Sequence, residues 1–234
     1  MREKAFEIPG LAKTGSSKKV MMKATKNSEA GMVLRVLLLV MVTASFAVDA
    51  WAQAGYVHAS PGEVTIQNAA GAWVPLEVGA QIAPGSVIQT SGKAGTVLKF
   101  ADGLVITLSP NSSLRISEYQ FDPNNVSASR VSIALLDGGM RFVAGAIAEL
   151  NPAALRVSVG PNIIAPQAAG SLDFSAATDA KGAPNSVVIA VATGEVALRT
   201  SSGEVTGIGS NQVVNLRPGQ ASASVIPLAA APAA

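Results

Sequence analysis

The chain lacks cysteine entirely, has one histidine, and holds only 4% aromatic and 14% charged residues in a length of 234. Without Cys there are no disulfides, thiolate nucleophiles, cysteine zinc sites or iron–sulfur clusters, and one His excludes a histidine-rich metal site. So few aromatic rings and charges also argue against a nucleic-acid surface, which needs a basic stripe and stacking platforms. What is plentiful is small or aliphatic: 49% of residues are hydrophobic, with 22 Gly and 13 Pro. A body of that composition buries enough apolar surface to offset ordering entropy, so disorder is a poor reading of it. The length suits one domain with extensions.

The net charge of +2 and pI near 9.0 are unevenly distributed. Residues 1–52 carry eight Lys/Arg against four acids, whereas the rest carries nine basic and eleven acidic side chains. The basicity therefore belongs to the N-terminus and says nothing about anionic partners of the body. After the basic stretch comes the uncharged run VLLLVMVTASFAV (36–48), then Asp49 and the small-residue pattern Ala50-Trp51-Ala52. A basic segment, a short apolar run and an A-x-A site describe a secretory signal peptide cleaved near Ala52/Gln53. The run is shorter than the ~20 residues a membrane helix needs. The expectation is a periplasmic or secreted protein with no retained transmembrane helix. An uncleaved anchor is the alternative, and Met1, Met22 and Met32 each remain open as the translation start.

Beyond the leader the apolar period is mostly two, and many apolar residues are β-branched. Segments such as VTIQ (64–67), TVLKF (96–100), SLRISEYQF (113–121), VSIALL (131–136), MRFVAG (140–145), LRVSV (155–159), SVVIAVA (186–192) and QVVNL (212–216) read as strands. Between them lie turn signals, among them Asp102-Gly103, Ser109-Pro110-Asn111, Asp137-Gly138-Gly139 and Ser202-Gly203. Only 143–150 reads as a helical turn. The fold class is all-β, a sandwich, barrel or solenoid, and recurring G-x-V phrases suit solenoid coils. The organisation is 1–52 as extension and signal peptide, 56–219 as an all-β domain, and 220–234 as an Ala/Pro-rich tail.

No catalytic pattern emerges. His58, in a loop-like YVHASPG, has no second His to share a metal and no G-x-S-x-G elbow to serve. Asp102, Asp137 and Asp173 can be drawn as carboxylate pairs for glycoside cleavage. Two of them, however, sit in Asp-Gly turns, where the side chain bonds its own backbone. Asp122-Pro123-Asn124-Asn125 lacks the further acids of a calcium loop. Trp73, in GAWVPLEVG, is the best aromatic for a sugar platform, but beside Val74 and Leu76 it reads as packing. No catalytic, cofactor or metal residue is assigned.

One resemblance is carried by GEVTIQNAAGAWVPLEVGAQIAPGSVIQTSGKAGTVLKFADGLVITLSPNSSLRI (62–116). With its G-x-V strand, a hairpin through Trp73, the step Gly85-Ser86-Val87 and the turns Phe100-Ala101-Asp102-Gly103 and Ser109-Pro110-Asn111-Ser112, it resembles a FecR domain. Leu136-Asp137-Gly138-Gly139 is similar to the family's glycine turn between two strands. Gly170-Ser171-Leu172-Asp173-Phe174 and Val191-Ala192-Thr193-Gly194-Glu195-Val196 are similar to its later motifs, while residues 161–166, with two prolines, depart from it. The resemblance implies an all-β, envelope-side sensing module; the residues themselves, offering no catalytic or cofactor pattern, add the expectation of a non-enzymatic protein without cofactor. An envelope protein is the expected partner; a separate alternative is an envelope polysaccharide-binding or polysaccharide-cleaving β-solenoid, which would take a glycan. The cytoplasmic anti-sigma segment of the family's iron-transport regulators has no counterpart here, so direct sigma-factor control does not follow from the fold.

Overall fold

The structure, a computed structural model, describes residues 54–68, 71–179, 186–217 and 224–228. The signal-peptide segment, the cleavage point at Ala52/Gln53 and most of the 220–234 tail lie outside the described residues. The described residues begin with short strands β1 (Gly55–Ala59), β2 (Val64–Gln67), β3 (Trp73–Pro75), β4 (Gln81–Ile82) and β5 (Val87–Thr90). β6 (Thr96–Phe100), β7 (Val105–Leu108) and β8 (Ser113–Gln120) lead into the long β9 (Arg130–Val143). One turn of helix, α1 (Ala146–Leu150), precedes β10 (Leu155–Val159), β11 (Asn162–Pro166), β12 (Asp173–Asp179) and β13 (Ser186–Thr193). β14 (Val196–Arg199), β15 (Val205–Ile208), β16 (Gln212–Leu216) and β17 (Ser224–Pro227) complete the described strands. The all-β class is what the period-two pattern predicts, and α1 falls within the expected helical turn.

The strands form two sheets that share β9. One runs β4, β1, β6, β7, β9, β12, β13, β16, β17. The other runs β3, β2, β5, β8, β9, β10, β11, β14, β15. A single cluster of buried side chains draws on both sheets: Leu98 and Ile106 on one, Ile88, Ile116 and Ile133 on the other. The rings of Phe100 on β6 and Tyr119 on β8 meet at 5.2 Å between centroids, closing the gap between layers. This is sandwich packing. Among the described strands only β9 and β10 pair in parallel, so of the expected sandwich and solenoid the antiparallel ladders fit the first.

β9 is where the structure departs from the expected turn. Asp137-Gly138-Gly139 does not separate two strands; it lies inside one strand of fourteen residues. The N-terminal part of β9 pairs with β8 and β10, and the C-terminal part with β7 and β12. Val131, Ile133 and Leu135 point into the core, then Met140 and Phe142 do. The inward set changes from odd to even because a strand that crosses to the facing sheet meets the same core with its other face. Residues 162–166 form β11, which pairs with β10 only through Asn162–Ile164, and Pro166 ends the strand opposite Val196. A proline is tolerated at that strand end.

Candidate functional site

Two polar clusters close the sandwich, and both use residues of the turn motifs. The first is the corner after β6. Asp102, 8% exposed, accepts hydrogen bonds at Oδ1 from the Tyr119 hydroxyl (2.9 Å) and the Leu104 N–H (3.2 Å), and at Oδ2 from the Ile147 N–H (3.5 Å). Its own N–H donates to Tyr119 Oη at 2.9 Å, and its carbonyl accepts from the Ala146 N–H. One aspartate thus ties together the β6–β7 turn, β8 and the start of α1. Its lone pairs are spent on structure, as the Asp-Gly turn reading expects, with more partners than that reading supplied. Sequence reasoning missed Tyr119, which in SEYQF looks like any strand residue.

Burial, and next the Asp102 charge, raise the pKa of Tyr119 well above that of an exposed phenol. The folded state therefore holds this proton more tightly than the unfolded state does. As pH rises past the unfolded tyrosine value of about 10, the unfolded chain loses the proton first and stability falls. Denaturant titrations between pH 8 and 11 should show this decline, and Tyr119→Phe should flatten it. An unchanged slope in the variant would assign the decline to other groups.

The second cluster braces the crossing in β9. Ser112, 2% exposed, accepts from the Gly139 N–H at 2.9 Å and donates to the Gly139 carbonyl at 3.1 Å. The Thr90 hydroxyl donates to the Ser109 carbonyl at 2.7 Å and accepts from the Ser112 N–H at 2.9 Å. Where β9 passes from one ladder to the other, the Ser112 hydroxyl adds its bonds to that of the Ser109 N–H, which the Gly139 carbonyl also accepts at 2.9 Å. Gln89, Asn111, Ser113 and Asp137 line a shallow polar hollow of about 300 Å³ beside this knot.

The other sequence candidates are scattered. His58 stands in β1 rather than in a loop, edge-on to Tyr56 with ring centroids 6.4 Å apart. The Asp137 carboxylate accepts from the Gly138 N–H at 2.9 Å. Asp173 holds Arg141 in a two-pronged ion pair, Nε to Oδ1 3.1 Å and Nη2 to Oδ2 2.6 Å. These bonds raise the Arg141 pKa. Asp122 accepts from the Asn124 N–H, an Asx turn. The three candidate acids are thus each engaged by different partners, and no group of three His, Asp or Glu is placed to hold a metal among the described residues.

What remains open is surface. Trp73 is 44% exposed on edge strand β3, together with Val74 and Pro75, which corrects the packing reading. Leu76 alone of that segment turns inward; β3 has a neighbour on one side only, so its side chains have no second sheet row to pack against. On the outer face of the first sheet, Gly139, Ser175, Ala177 and Ala190 floor a trough of about 240 Å³ beside Arg141. No described helix is long and apolar enough to cross a membrane.

No protein-family model and no curated protein matches the chain. Among solved structures it is similar to two crystal structures of a candidate anti-sigma factor from Parabacteroides distasonis ATCC 8503. Both are 13% identical, cover 60% of this chain and 59% of that one, and give TM-scores of 0.46 and 0.45. The chain therefore spans about three fifths of the length of that crystallised chain. A cell surface anchoring domain is 26% identical over 26% of this chain and 80% of its own, with a TM-score of 0.25. At these scores the functional reading rests on the chain's own residues.

Proposed function

We propose that the chain is an exported, non-enzymatic FecR-type module of the bacterial cell envelope that binds another protein, as a signalling or scaffold component. The observation that carries this reading is where the FecR-like residues fall. Phe100–Gly103, Ser109–Ser112 and Asp137–Gly139 occupy the two polar clusters that join the sheets, so the resemblance lies in fold-determining positions. The polar side chains of those clusters are taken up by internal bonds, which leaves sheet edges and outer faces for recognition. Trp73, exposed on an edge, is the natural anchor for a protein contact.

The test is fractionation of the producing cell with N-terminal sequencing, combined with a photo-crosslinking residue at position 73. An envelope protein that starts at Gln53 and crosslinks to a second protein supports the reading. An intact start in the membrane fraction favours an anchored regulator instead, and a cytosolic location overturns both. The exposure of Trp73 also favours a second reading, a glycan platform. Of the two tryptophans only Trp73 lies beyond the leader, so after cleavage its fluorescence is the whole tryptophan signal, and no change across a panel of envelope glycans would remove this alternative.

A further inference from the structure

Among the described residues each sheet ends in two edge strands with no further neighbour, and three of the four are protected. β4 is two residues long, β3 ends on Pro75 and β17 on Pro227. Short strands and edge prolines are the usual devices against strand pairing. β15, Val-Thr-Gly-Ile, has neither. Its hairpin with β14 is closed by a Thr200 N–H bond to the Glu204 carbonyl at 2.9 Å, which sets the alternation along the ladder. Thr206 and Ile208 bond towards β14. The N–H and C=O groups of Val205 and Gly207 point outward.

We propose that β15 pairs antiparallel with β15 of a second copy of this chain. The outward groups restrict pairing to registers in which outward-facing residues meet; the one with Val205 facing Gly207 of the other copy, and the two-fold axis at Thr206, engages both residues and gives up to about four main-chain hydrogen bonds. Shape agrees, because Val205, 52% exposed, stands opposite a residue with no side chain. Charge agrees as well. Arg199 is the β14 neighbour of Val205 on the same face. The Gln167 amide nitrogen and the Glu195 carboxylate, both ends of flexible surface side chains, lie 3.5 and 3.7 Å from where a Gly207 Cβ would be. Across the pair, Arg199 of one copy is brought towards Glu195 of the other, twice by symmetry. Contact limited to one short edge makes the association reversible, not permanent.

Sedimentation of the full chain over a concentration series, with amide exchange at Val205 and Gly207, tests this. Wild type should show a monomer–dimer equilibrium in which both amides gain protection. Arg199→Glu and Glu195→Arg, both surface changes, should each weaken dimerisation about tenfold or more. The double variant should recover to within about threefold of wild type, and Gly207→Val should abolish pairing while leaving the melting temperature unaltered. A monomer at all concentrations, a dimer indifferent to Gly207→Val, or a double variant that does not recover would each overturn the proposal. Protection of the two amides only by an added extended peptide would also overturn it, in favour of strand addition by a different protein.

Discussion

Gly138→Ala is expected to destabilise the fold by about 4 kcal/mol, combining left-handed backbone strain with overpacking. Gly138 has φ +78°, and a Cβ there would lie 2.6 Å from both the Asn111 carbonyl oxygen and the Ser112 Cα. Neither backbone atom can move without breaking the knot of Thr90, Ser112 and Gly139 that carries β9 between sheets. For a domain of this size the melting temperature should fall by about 10 °C. Gly203→Ala is the control: φ is +88°, but nothing lies within 4 Å of the added carbon, so only backbone strain of about 1 kcal/mol applies. Thermal unfolding followed by circular dichroism distinguishes them. Equal losses in the two variants would mean that crowding at the crossing contributes nothing.

Asp102→Ala should cost about 3 kcal/mol, because it leaves the Tyr119 hydroxyl and the Leu104 and Ile147 N–H groups without their acceptor in a buried corner. Tyr119→Phe should cost about 2 kcal/mol, since the Asp102 N–H loses its acceptor and the carboxylate loses one donor. The two share a bond, so the double variant should lose measurably less than the sum of the singles. Urea unfolding of the four proteins gives the coupling. Strict additivity would show that the Asp102–Tyr119 bond is energetically silent and that α1 and β8 are held by packing alone.

Both predictions rest on motifs legible in the sequence whose structural meaning the sequence does not carry. Asp102-Gly103 reads as a turn and is one; nothing in the spacing of Asp102 and Tyr119 announces that they meet across the two sheets. Asp137-Gly138-Gly139 reads as a turn and is not one. The change of parity from Val131, Ile133 and Leu135 to Met140 and Phe142 is present in the sequence, but a hairpin and a sheet crossing produce the same change. Only the neighbours on either side of β9 separate them. Trp73 failed for a related reason: an apolar neighbourhood in sequence does not say whether a strand has a partner on both sides.

The amino-acid sequence alone therefore determined what is local. Period-two alternation with β-branched residues placed most strands within a residue or two, and glycine and Asx chemistry placed most turns, because both act between near neighbours along the chain. Tertiary structure decided which sheet each strand joins, where β9 crosses, and which edges stay open. Those choices depend on pairings between distant segments, and the same alternating pattern satisfies many such pairings until a shared core selects one.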